Sequence, residues 1–61
     1  DFAKAAGFYR EYLTKFPFAE DYYEMQWYLA ETLLRANELD GAEAEYAQLE
    51  KGMEEHSEYV R

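Results

Sequence analysis

Ala5-Ala6-Gly7-Phe8-Tyr9-Arg10-Glu11-Tyr12-Leu13-Thr14-Lys15-Phe16-Pro17 is the stretch on which the reading of the fold turns. In and just before it, Phe2, Ala5, Ala6, Tyr9, Tyr12, Leu13 and Phe16 recur at the i, i+3, i+4, i+7 spacing of one helical face. Asp1 stands where its carboxylate can cap the first free amides. Pro17 closes the segment by steering Phe16 away from helical dihedrals. The spacing predicts a helix over 2–16.

Two further helices follow from the same signals. Asp21-Tyr22-Tyr23-Glu24 places an acid at a cap position with a Glu three residues on, a capping-box-like start. Tyr22, Met25, Leu29, Ala30 and Leu33 form its apolar stripe, and Asn37 suits a left-handed stop, so the second helix is expected over 22–36. Asp40-Gly41-Ala42-Glu43 repeats the start signal, and Ala42, Tyr46, Leu49 and Met53 continue it over 41–55. Gly52 is a point where this helix weakens or ends, leaving 56–61 as a tail or the start of a further element. No segment alternates with period two for long enough to make a strand. The connections at 17–20 and 37–40 are short enough to turn neighbouring helices antiparallel.

The decisive observation is internal. Sliding the chain by 37 residues sets Phe2 over Leu39, Ala5 over Ala42, Tyr9 over Tyr46 and Tyr12 over Leu49. Large apolar, small, aromatic, large apolar recurs in both copies. The small residue lets a neighbouring helix come close, and the aromatic one turn later covers the adjacent gap. Ala5, Tyr9 and Pro17 resemble the second helix of the tetratricopeptide repeat, a helix-turn-helix unit of about 34 residues. Leu29, Ala30 and Leu33 resemble the first helix of the next unit, and Ala42 and Tyr46 its second helix. The run Phe8–Pro17 looks like the longer variant common in bacterial cell-envelope proteins. The longer period implies three extra residues in the Pro17–Glu20 connection.

This resemblance implies an all-α, antiparallel helix-turn-helix solenoid of three helices, about one and a half repeats in a single segment spanning 1–61. It also implies that the chain is a piece of a longer array. Two positions depart from the pattern: Gln26 stands where the family places a large aromatic, with Trp27 beside it, and Glu54 replaces the closing Pro. In such solenoids the first helix of each unit lines a concave groove. By register the residues facing it are Glu24, Trp27, Glu31, Leu34 and Arg35. Trp27 is the expected anchor, since Trp and Arg dominate binding hot spots; the alternative is Trp27 packed into the preceding helix beside a solvated charged face. Glu24 and Glu31 favour a basic peptide or protein partner. The resemblance thus implies a non-enzymatic interaction scaffold, with a bacterial cell envelope as the setting its variant suggests. The alternative is a self-associating helical hairpin whose open face is covered in a homodimer.

Composition narrows the field independently. The 61 residues carry 14 acids and 6 bases, a net charge of −8, which repels nucleic acid and anionic membrane surfaces. The charge is uneven: residues 1–17 sum to +1, 18–34 to −4, and the remainder to −5. An apolar share of 49% with 20% aromatics excludes a disordered chain. No apolar run approaches membrane-spanning length. His56 lies among Glu54, Glu55 and Glu58, yet Met53 occupies the position where a carboxylate-bridged metal helix needs Glu, so neither metal nor cofactor is expected. The pairs Glu43 with Glu50 and Glu20 with Glu24 read as solvated faces rather than acid–base couples. Tyr9, Tyr12 and Tyr46 are expected in the core. Phe8 and Phe18 fall off the main stripe and are expected to meet a neighbouring helix.

Overall fold

Helix α1 (Phe2–Lys15) begins where Asp1 accepts the Ala3 amide at 2.9 Å, which satisfies one of the orphan donors of the first turn. It ends at Phe16, whose amide still donates to the Tyr12 carbonyl at 2.9 Å before Pro17 forces the chain out of the helix. Lys15 in the last turn complements the negative end of the helix and bridges Glu11 at 2.7 Å. The ammonium beside it holds the Glu11 carboxyl below its ordinary value. The computed structural model describes the backbone of residues 1–59 and the side chains of residues 1–55.

Helix α2 (Tyr22–Arg35) starts at the expected place by a different device. Asp21 makes no side-chain cap. Its φ of −96° and ψ of 20° depart from the extended conformation that aims a cap at the helix amides. Its carboxylate instead accepts the Tyr12 hydroxyl at 2.6 Å, tying the start of α2 to α1. The far end of α2 is a Schellman stop: Glu38 N–H donates to Leu33 O at 2.9 Å and Asn37 N–H to Leu34 O at 3.0 Å. Asn37 takes the left-handed φ of 63° that this motif requires.

Helix α3 (Leu39–Tyr59) begins two residues before the expected start and runs past residue 55. Asp40 therefore lies inside the first turn rather than at the cap, where it still complements the positive helix end. Gly52 does not end the helix, because one glycine costs only about 1 kcal/mol against the hydrogen bonds on either side of it. Residues 56–59 accordingly continue α3 instead of forming a tail. The side chain of His56 lies outside the described residues, as do Val60 and Arg61.

The described residues form three helices and no strand. α2 packs on both α1 and α3, which do not pack on each other among these residues. The short connections make neighbours antiparallel, and the molecule measures 39 × 22 × 12 Å. Its thinnest dimension is about one helix diameter, so there is one layer. Ala6, Leu29, Leu33 and Ala42 form the buried cluster, with Tyr9, Leu13 and Tyr46 packed against it. Ala30, Leu49 and the polar Gln26 are also buried. Tyr9 and Tyr46 thus cover the core as expected, while Tyr12 is half-buried and committed to Asp21. No described helix is long and apolar enough to cross a membrane.

Candidate interaction surface

The side of α2 turned away from Leu29 and Leu33 carries the residues that the sequence singles out. Glu24, Trp27, Leu34 and Arg35 are exposed and Glu31 is half-buried. Their spacing of three, four, three and one residues keeps them on one side of the helix. Trp27 is 43% exposed, and its ring stands edge-on to Tyr28 at 5.6 Å. Tyr28 in turn stacks on Tyr9 of α1 at 6.0 Å, so an aromatic chain leads from α1 to the anchor.

Trp27 borders a groove of about 220 Å³ between α2 and α3, lined also by Tyr23, Glu24, Leu49 and Met53. Three local features build it. The antiparallel pairing brings the start of α2 beside the end of α3. Gly52 then lets the Tyr23 ring lie against the α3 backbone, where a Cβ would come within 2.8 Å of the ring. The Tyr23 hydroxyl donates to the Gly52 carbonyl at 3.1 Å, fixing one groove wall. Met53, one residue on, is 55% exposed and supplies a flexible thioether to the other wall.

Glu24 sits at the rim, in the first turn of α2 where its charge suits the helix end. It accepts the Tyr28 hydroxyl at 3.2 Å, and that bond raises the Tyr28 pKa above its ordinary value because ionisation would place two anions together. Arg35 occupies the last turn at the opposite end, away from the groove lining. The arrangement offers ring faces, a thioether, a leucine and a carboxylate. It can bury an apolar side chain and pair a cation, including over the face of Trp27. Among the described residues no group of three or more His, Asp or Glu converges as metal ligands.

Glu24 and Trp27 are therefore brought together at the groove, whereas Glu31, Leu34 and Arg35 extend the same face without lining it. Tyr23, Leu49 and Met53 were not in the sequence-derived set. The apolar stripe of α3 assigns Met53 to the core. It is instead 55% exposed at the edge of the α2–α3 contact, beside Tyr23 and Trp27. The contact of the Tyr23 ring with Gly52 spans 29 residues across the hairpin and has no local signal in the sequence. The chain matches no protein-family model, and neither a curated protein nor a solved structure matches it.

Proposed function

We propose that this chain is a non-enzymatic protein-interaction module, a tetratricopeptide-type helical-repeat scaffold that binds a peptide or protein through the α2 face. The observation that carries the reading is the half-exposed Trp27 in an apolar groove with Glu24 at its rim. Contiguous apolar surface on a folded chain marks an interaction site, and here the Trp27 ring adjoins Tyr23, Leu49 and Met53. The repeat reading is supported by three helices in one layer and by the buried Ala42 with Tyr46 packed against the core, the pair that the 37-residue shift matches to Ala5 and Tyr9. The partner that suits the groove presents an apolar side chain next to Lys or Arg.

Isothermal titration calorimetry tests this with a short amphipathic peptide of Leu and Lys and its counterpart of Leu and Glu. The Leu–Lys peptide binds and the Leu–Glu peptide does not. Trp27→Ala weakens binding at least tenfold, about 1.4 kcal/mol, with the helical circular dichroism unchanged. Equal binding by wild type and Trp27→Ala would reduce the effect to general attraction by an acidic protein and overturn the assignment of the groove.

A further inference from the structure

Tyr23 borders a second cleft between α2 and α3, of about 300 Å³, on the side away from Trp27. Gln26 lies in it with Tyr22 and Tyr23 of α2 and Gln48, Lys51 and Glu55 of α3. Gln26, which stands where the repeat pattern places a large aromatic, is only 5% exposed. Its carboxamide nevertheless bonds to no described residue. Every fully buried polar atom of the described side chains has a partner, so the Gln26 amide is not sealed in the core but opens on the cleft. Side-chain amides buried this deeply are rarely left without one. Lys51 and Glu55 stand four residues apart, within reach of each other, yet neither makes an ion pair among the described residues.

A repeat continued in the 37-residue register does not fill this cleft. Helix α1 meets the core through Ala6, Tyr9 and Leu13, and 37 residues on stand Glu43, Tyr46 and Glu50. By helical register these lie on the opposite flank of α3 from Gln48, Lys51 and Glu55.

We propose that the cleft binds the main chain of an extended polypeptide segment, with Gln26 as its reader. In an extended strand the N–H and C=O of one residue point to the same side. A carboxamide matches both at once: Nε2 donates to the carbonyl and Oε1 accepts the N–H. Other occupants use only half of this arrangement. An anion would take the donor alone and face Glu55, and a cation would take the acceptor alone and face Lys51. A nucleobase edge also offers a donor and an acceptor, but a net charge of −8 repels the phosphates that accompany it. The volume lies at the small end of ligand sites, which suits a short stretch of main chain. Neither Trp27 nor Met53 lines the cleft, so this site stands independently of the apolar groove.

NMR titration of the isotopically labelled protein with acetyl-triglycine-amide, a main chain with no charge and no side chains, tests it. At millimolar peptide the side-chain amide of Gln26 and the backbone amide of Gly52 shift, while the Trp27 indole stays in place. Gln26→Met keeps the side-chain length without the amide, and weakens this binding at least tenfold with helical circular dichroism retained. Sodium acetate at the same concentrations leaves the Gln26 resonances unmoved. A Gln26 side-chain amide that does not respond to the peptide overturns the proposal, and so does undiminished binding by folded Gln26→Met. Acetate shifting Gln26 as strongly as the peptide would make the cleft an anion site and overturn it equally. Should Gln26→Met fail to fold, the wild-type titrations with peptide and acetate decide between these outcomes. Failure of the Leu–Lys peptide at Trp27 bears on the groove alone.

Discussion

Gly7 and Gly52 both lie inside helices, but only one of them makes room for something. A Cβ at Gly7 meets nothing within 4 Å, so Gly7→Ala raises stability by about 0.5–1 kcal/mol through helix propensity alone. Thermal melting checks it, with Tm rising by a few degrees for a chain of this size. A Cβ at Gly52 would meet the Tyr23 ring, so Gly52→Ala gains less than Gly7→Ala. The difference disappears in a Tyr23→Ala background, which a double-mutant cycle measures. Tyr12 supplies a prediction about pH. Its hydroxyl donates to Asp21, and that bond, more than partial burial, raises its pKa above the ordinary value near 10. A folded-state pKa held above the unfolded one means that the stabilisation is complete below about pH 10 and is lost as pH rises beyond it. Melting curves at alkaline pH therefore fall more steeply for the wild type than for Tyr12→Phe. This pairing was not legible in the sequence, where Asp21 reads as a cap: a carboxylate at a helix start has two uses, and only the backbone dihedrals choose between them.

At the scale of helices, α1 and α3 carry the same pattern in different surroundings. Ala42 is buried against α2, so Ala42→Leu overpacks that contact and costs about 1–3 kcal/mol in urea unfolding. Ala5, its match in the repeat, is half-buried on the open side, and Ala5→Leu costs under ~1 kcal/mol. Ala6 is the residue of α1 that α2 buries, and Ala6→Leu behaves like Ala42→Leu. The existence and order of the helices were legible because Leu29, Ala30, Leu33, Ala42 and Leu49 recur at helical spacing and do become the core. The stop at Asn37 was legible too, since few residues other than glycine accept a left-handed backbone. The length of α3 was not. Gly52 looks like an end, and what keeps it helical is the continuing hydrogen-bond ladder together with the Tyr23 contact, neither of which is written in local propensity. Met53 was hidden from the candidate groove for another reason: its place in the apolar stripe of α3 reads as core, and the structure leaves it 55% exposed at the groove.

The whole molecule is a single helical layer, and that geometry decides both of its surfaces. A compact globule of 7.3 kDa would expose roughly 4,200 Å², whereas this chain exposes 4908 Å². The excess includes aromatic surface on each edge of the layer: Phe8 and Phe16 on α1, Trp27 beside α3, and Phe18 at the α1–α2 turn, 97% exposed. Charge divides the layer as well, with acids concentrated from residue 18 onward. The α2 face was legible as an acidic stripe around Trp27 because helical register alone places Glu24, Trp27 and Glu31 together. Its groove was not, because the second wall comes from α3, across a hairpin whose register is set by Tyr23 and Gly52. The claim that this groove is the binding surface is tested most directly by titrating the isotopically labelled protein with the Leu–Lys peptide and following backbone amide shifts by NMR. The account predicts shifts centred on Tyr23, Glu24, Trp27, Leu49 and Met53, with α1 unmoved. Shifts spread evenly over the acidic residues of α3, or confined to α1, would contradict it.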